Sequence, residues 1–288
     1  MTQNLLICTD LDRTLLPNGL QPESGNAREC FHALCQRPEV TLVFVTGRHR
    51  MLIEQAVADY GLPVPDYAIA NVGTTIYRVG REQLWQRQTA WDDEIAADWG
   101  KHAHSDILSM LSDVASLRLQ ESNKQDRHKL SYYVPLDSDR EALSSIIAER
   151  LAEHQVSARL IWSDDEPAGI GLLDVTPRRS SKYHAIKALM RELDMSETQI
   201  VFAGDSGNDL EVMVSDIPSV LVANSQPQIR EQSIRQAAES GHSDKLYIAK
   251  GGFKGMNGNY AAGILEGIAH YHPGIIAWMG IAAGSHEE

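Results

Sequence analysis

Asp10 and Asp12 stand two residues apart in Asp10-Leu11-Asp12-Arg13-Thr14, directly after the apolar run Asn4 to Thr9. Residues i and i+2 of an extended segment point the same way, and where a strand ends and the chain turns, such a pair can straddle a phosphate. One carboxylate can then attack phosphorus and become an acyl phosphate. The other can protonate the departing alkoxide and afterwards activate a water molecule. A carboxylate approaching a phosphate dianion is repelled, and Mg²⁺ relieves the repulsion because it takes one or two protein carboxylates together with phosphate oxygens and waters. Alone, the pentapeptide reads equally well as an ordinary cap on a strand-to-loop junction.

Three further pieces bear on the choice. Thr46-Gly47-Arg48 follows the run Val40 to Val45 and offers a hydroxyl and free N–H groups where a strand meets a helix, a setting that suits a phosphate oxygen and also an N-cap. Lys182 opens a helical stretch and can neutralise phosphate among carboxylates, although a solvated helix lysine has the same sequence signature. Gly204-Asp205-Ser206-Gly207-Asn208-Asp209 follows Gln199 to Ala203 and places two acids four apart in a loop of permissive backbone. That pattern suits the outer half of a Mg²⁺ site. Its spacing does not match an EF-hand calcium loop.

The elements that must position these residues are short. Asn4 to Thr9, Val40 to Val45, Tyr67 to Ala70, Gln199 to Ala203 and Ser219 to Ala223 read as buried strands, and Glu23 to Gln36 and His49 to Tyr60 as helices, the second closed by Gly61. Buried strands alternating with helices predict a parallel sheet covered on both faces, of Rossmann type, with ligands beyond the carboxyl ends of the strands. The middle of the chain breaks this pattern. Helical segments over Trp91 to Leu117 and Asp139 to Gln155 alternate with strand-like pieces at His128 to Val134, Ala158 to Trp162 and Gly171 to Val175. This predicts an α/β fold with a core domain over 1–79 and 180–288 and a smaller α+β domain inserted over 80–179. No internal repeat is present.

The 288 residues are 43% apolar and 23% charged, the profile of an ordinary globular chain. No run reaches the roughly 20 apolar residues that span a bilayer, and Met1 to Asn4 lacks a basic segment and a cleavage site. A cytoplasmic protein without a membrane partner is expected. Cys8, Cys30 and Cys35 form no CxxC pair and predict reduced thiols. The net charge of −13 excludes a nucleic-acid backbone as partner, and an anionic substrate then requires a cation and a few basic groups to reverse the field locally. His102 and His104 read as solvent-facing, His270-Tyr271-His272 as packing and surface, and Trp85, Trp91 and Trp99 as packing.

The four pieces, in this order and each beside a strand end, resemble the haloacid dehalogenase (HAD) superfamily of phosphotransferases, and the insertion between the second and third resembles its larger α/β cap. The resemblance implies Asp10 as nucleophile and metal ligand, and Asp12 as general acid/base with its backbone carbonyl on Mg²⁺. It assigns Thr46, Gly47 and Lys182 to the phosphoryl group, Asp205 and Asp209 to the metal, and Asn208 to the phosphoryl group or Lys182. Asp66-Tyr67, Asn71-Val72-Gly73-Thr74, Lys129-Leu130-Ser131-Tyr132-Tyr133, Leu172 to Lys182 and Ala261 to Tyr271 are similar to bacterial and plant sucrose-phosphate phosphatases. This implies Lys129, Ser131, Tyr132 and Asp174 as sugar contacts, sucrose 6-phosphate as substrate, and the glycosyltransferase that makes it as a candidate partner. Three features depart from that family: Thr75 where an acid is common, the glycine-rich Tyr247 to Asn259, and the tail after His272. They leave open another disaccharide or glycoside phosphate, such as mannosylfructose phosphate or a glucosyl-glycerol phosphate. A phosphomannomutase would use the same acyl phosphate with cap cations drawn from Arg118, Arg127, Lys129, Arg178 and Arg179. A non-catalytic module that binds a glycosyltransferase is the third reading, and the intact set Asp10, Asp12, Lys182 and Asp205 speaks against it.

Overall fold

In a computed structural model, residues 4–80, 84–165 and 168–280 are described. Leu5–Thr9 (β1), whose five residues are all buried, lies in the middle of an eight-stranded sheet. The chain continues through Ala27–Cys35 (α1), Val40–Val45 (β2), Arg50–Tyr60 (α2) and Tyr67–Ala70 (β3). Next come Thr75–Val79 (β4) and Trp85–Arg87 (β5). After the cap described below, Lys182–Glu192 (α6), Ile200–Gly204 (β10), Leu210–Met213 (α7), Ser219–Leu221 (β11), Pro227–Glu239 (α8), Leu246–Ile248 (β12) and Ala261–Tyr271 (α9) complete the core domain. Strand order is β12-β11-β10-β1-β2-β3-β4-β5, parallel from β12 to β3 and antiparallel beyond. The all-apolar central runs fit strands covered on both faces. Leu11, Phe31, Phe44 and Ile264 pack on one side, and Cys8, Val45, Ile186 and Phe202 on the other.

The connections run in opposite directions from β1, to β2 on one side and to β10 on the other. Such a switch point opens a crevice at the carboxyl ends of the strands. Asp10, Thr46 and Asp205 each follow one of these three strands, so the topology alone brings them to one place.

The cap contains Thr89–Ala96 (α3), His104–Met110 (α4), Arg118–Leu119 (β6), Leu130–Val134 (β7), Arg140–Glu153 (α5), Ala158–Asp165 (β8) and Ile170–Pro177 (β9), with an antiparallel sheet of order β6-β7-β9-β8. The single helix expected over 91–117 is two. Gly100 adopts the left-handed region (φ +61°) and turns the chain, which ordinary residues resist. Trp91 and Ile95 of α3 then pack on the core domain, while Trp99, Ile107 and Leu111 pack under the cap sheet. The expected boundary at 79/80 falls inside a hairpin: β5 pairs with β4 and carries the large sheet on to Arg87. Residues 81–83 of that boundary, and 281–288 of the tail, lie outside the described residues.

Among the described residues no helix is long and apolar enough to cross a membrane. Cys8 and Cys30 are buried free thiols and Cys35 is a half-buried one. His102 and His104 are half-buried, not solvent-facing, and the His102 ring meets that of His154 edge-on at 6.3 Å. The cap closes a small amphipathic core, which draws such side chains inward.

The loop after β3 meets the start of α6 at Gly73, whose φ is +99° and where a Cβ would lie 2.4 Å from the Ser181 carbonyl carbon. Trp91 donates its indole N–H to the Gly73 carbonyl at 3.0 Å, locking the same spot to the first cap helix. Gly73→Ala should therefore cost about 3 kcal/mol, combining overpacking with a disfavoured backbone. Urea denaturation followed by circular dichroism checks this. An unchanged midpoint would show that the close approach is not needed.

Candidate active site

Lys182 is the first residue of α6, capped by the Ser181 side chain, and its side chain is 1% exposed. It donates to Asp10 Oδ1 at 2.8 Å, Asp209 Oδ1 at 2.6 Å and Asn208 Oδ1 at 2.8 Å. Residues 172 and 27 positions apart are joined through one buried cation. Asp209 also holds its own loop, its Oδ2 accepting from the backbone N–H groups of Asp205 and Ser206, each at 3.2 Å. This requires Gly204, since a Cβ there would lie 2.6 Å from the Asp209 carboxyl carbon. Asp205 accepts from the Thr14 hydroxyl at 3.2 Å and faces Arg13 Nε at 3.6 Å.

Carboxylate oxygens of Asp10, Asp205 and Asp209, all buried, lie within 4.8 Å of one another. Burial lifts the Asp10 carboxyl well above the usual range, with Lys182 pulling against it and Asp209 adding to it. Asp205 is pushed up to about 7 by burial and by Asp209, despite Arg13 and Thr14. Burial disfavours the Lys182 ammonium, but Asp10 and Asp209 outweigh it and keep the group charged. The cluster thus carries more negative charge than its lysine balances, and every donor is a carboxylate oxygen. That set fits a hard divalent cation.

Asp12 stands outside the cluster. Arg48 grips its carboxylate with two hydrogen bonds, Nη2 to Oδ1 at 2.6 Å and Nε to Oδ2 at 2.8 Å, and Asn18 adds a third at 2.8 Å. Burial alone would raise Asp12, but the hydrogen bonds and charge of Arg48, with Asn18, carry it below the usual carboxylate range. The turn that presents it is strained at Arg13 (φ +58°) and tied down at the Arg13 carbonyl by Asn224 at 2.6 Å. Asn224 in turn accepts the Tyr260 N–H at 2.9 Å. The glycine-rich segment ending at Asn259 thereby supports the loop that carries Asp10 and Asp12, with Asn257 and Asn259 both bonded to the Pro22 carbonyl.

A cleft of about 600 Å³ rises from Asp10 to the cap and is lined there by Lys129, Asp174, Ile161 and Ser163. Register places Ser131, Asp174 and Ile161 side by side across β7, β9 and β8. Ser131 donates to Asp174 Oδ1 at 2.5 Å, and Lys129 Nζ lies 3.5 Å from the same oxygen. Thr46, Gly47 and Asn208 line the lower part. Tyr132 does not belong to it. Strand residues alternate faces, and Tyr132 points with Leu130 and Val134 into the cap core, its hydroxyl pushed up to about 12 by burial. Thr75 does not face the cleft either. It is buried in β4 and donates to Asp126 of the cap at 2.6 Å, so an acid reaches this position from the other domain. Sequence reasoning did not assign Arg48 a role, although it stands in the Thr46-Gly47-Arg48 motif, nor Ile161 and Ser163, whose signal was the alternation along β8.

Residues 3–272 match the family model of sucrose-6F-phosphate phosphohydrolase. The chain belongs to this family. Members of the sucrose-6F-phosphate phosphohydrolase family are HAD-like hydrolases, and the chain is accordingly a sugar-phosphate phosphohydrolase. It is similar to a HAD-like hydrolase of Nitrosococcus oceani, 48% identical over 97% of this chain and 75% of that one. It is also similar to a mannosylfructose-phosphate phosphatase of Agrobacterium fabrum, 28% identical over 92% and 96% of the two chains. In fold it resembles the sucrose-phosphatase of Synechocystis, solved with sucrose and phosphate, with a TM-score of 0.70, 24% identity and coverage of 93% and 98%.

Two measurements test the electrostatics. Because burial and Asp209 push the Asp205 carboxyl up to about 7 and it must be ionised to bind a cation, magnesium affinity by calorimetry should tighten about 10-fold between pH 6 and pH 8. Equal affinities would show a carboxylate ionised throughout. Arg48→Gln should return Asp12 toward the ordinary range, lower kcat about 10-fold and shift the acidic limb of kcat upward in pH. A limb that stays in place would separate Arg48 from Asp12 ionisation.

Proposed function

We propose that this family member is a Mg²⁺-dependent phosphatase that hydrolyses a disaccharide phosphate, sucrose 6-phosphate foremost, through an aspartyl phosphate on Asp10. The single observation that supports it most is the ammonium of Lys182 fixed beside Asp10 at the floor of a cleft whose roof carries Lys129 and Asp174. Asp10 attacks phosphorus while the ester P–O bond breaks, and Asp12 gives its proton to the departing sugar oxygen. Asp12 then takes a proton from water, which attacks the phosphorus of the acyl phosphate, and phosphate leaves with Asp10 restored. Mg²⁺, held by Asp10 and Asp205 with Asp209 in support, supplies charge neutralisation when bound. Lys182 and the Thr46 hydroxyl hold the phosphoryl oxygens. Asn208 turns its amide oxygen to Lys182 and keeps its nitrogen to donate.

Arg48 gives Asp12 its two states. With the ion pair formed, Asp12 is ionised and suited to activating water. A phosphoryl oxygen drawing Arg48 away would let Asp12 hold the proton needed in the first step. At the cap, Asp174 and Lys129 offer an acceptor and a donor 3.5 Å apart, a pairing that reads polyol hydroxyls by directional hydrogen bonds. The match to the sucrose-6F-phosphate family model favours sucrose 6-phosphate, and the likeness to a mannosylfructose-phosphate phosphatase keeps that substrate as the alternative. A mutase is disfavoured, because of its candidate cations only Lys129 lines the cleft.

Phosphate release across a panel of sugar phosphates, with and without magnesium, tests this reading. Sucrose 6-phosphate should exceed simple hexose phosphates in kcat/KM by at least about 100-fold, the discrimination that a few buried hydrogen bonds supply. Equal rates would remove the sucrose assignment. Asp12→Asn should slow turnover most for poor leaving groups.

A further inference from the structure

The floor of the cleft has a second opening. A cavity of about 510 Å³ is lined by Lys182, Asn208 and Ser206, by Ile161, and by Arg159 and Glu211, and not by Arg48 or His49, which line the first cleft. Arg159 of β8 and Glu211 of α7 meet there in a two-pronged ion pair, Nη1 to Oε2 at 2.5 Å and Nη2 to Oε1 at 3.1 Å, which joins cap to core. Beyond it lies a further cavity of about 560 Å³ that shares Arg159 and Leu160 with the first and is otherwise lined by Ala158, Arg178, Arg179 and His184. The phosphoryl-holding residues are thus connected to solvent along a line of arginines.

We infer that this passage is the exit for inorganic phosphate, separate from the cleft that admits and returns the sugar. The inference rests on the phosphatase reading above. Charge is the main argument. A phosphate ion leaving through the sugar cleft passes Asp12, Asp165 and Asp174. The lysines and arginines on that side are already matched: Arg13 with Asp205, Arg48 with Asp12, Lys129 with Asp174, Lys124 with Glu121. Along the second route Arg159 is matched by Glu211 and Arg179 by Asp98, whereas the exposed Arg178 has no ionic partner among the described residues. In a chain of net charge −13, an unmatched guanidinium at the mouth lowers the barrier for a departing dianion without tightening its binding at the distant floor.

Exchange of inorganic phosphate on the whole protein, with magnesium present, tests this through ³¹P line broadening and does not depend on the sugar. Arg178→Ala should slow exchange about 5-fold and Arg178→Glu more, with the phosphate Kd little changed and Arg178→Lys close to wild type. In the same variants, single-turnover release of nitrophenolate from p-nitrophenyl phosphate should keep its wild-type rate. Exchange that is indifferent to the charge at residue 178, or that slows only in step with nitrophenolate release, overturns the passage. Wild-type protein that binds no phosphate overturns the phosphatase reading itself, and the passage with it.

Discussion

Three buried carboxylates around one buried ammonium leave a deficit of positive charge at the centre of this protein. A protein interior tolerates buried charge only when it is paired and hydrogen-bonded. Here Lys182 hydrogen-bonds Asp10 and Asp209 but not Asp205, and burial, with Asp209 beside it, pushes the Asp205 carboxyl up to about 7. The rest of the structure serves that imbalance. β1, β2 and β10 end together at the switch point so that Asp10, Thr46 and Asp205 face one volume, and Gly204 leaves room for Asp209 beneath them. A divalent cation and a phosphoryl group, one positive and one negative, complete the arrangement more naturally than either alone.

The second constraint is that the walls of the cleft come from two domains. The core holds the buried carboxylates of Asp10, Asp205 and Asp209, while the cap presents Lys129 and Asp174 from a face built by strand alternation. The two are registered by Asp126, which accepts from Thr75 and from Arg87 of the core sheet at 2.6 and 2.9 Å, and by Arg159 with Glu211. Asp126 also closes the tight turn that ends at Lys129, so the contact holding the cap is one turn from the group that would meet the sugar.

Much of the core was legible because its signals are local. An all-apolar run followed by an acid or a hydroxyl marks a parallel strand and the residue at its end together, which is why Asp10, Thr46 and Asp205 stand out in the sequence, whereas Lys182 opens a helix, reads alone as a solvated lysine, and is singled out only by the order of all four pieces. The cap was less legible. Its long helical pattern hid the break at Gly100, because periodicity continues across a turn when both halves bury apolar faces, here against different cores. Tyr132 went to the wrong face because its motif gives residue types and not the phase of the strand. Arg48 was overlooked as an Asp12 partner because the pairing spans 36 residues and has no sequence period. The glycine-rich segment made sense only once Tyr260 and Asn224 were seen to reach the Arg13 carbonyl.

Asp10 is proposed to carry the phosphoryl group in transit, and trapping the acyl phosphate decides whether it does. Protein mixed with a turned-over phosphate ester and magnesium, quenched in acid during the first turnover and mapped by mass spectrometry, should carry one phosphoryl group on the peptide containing Asp10. Asp10→Asn protein should carry none. Turnover with no protein-bound phosphoryl group, or with the group on another residue, would contradict the account.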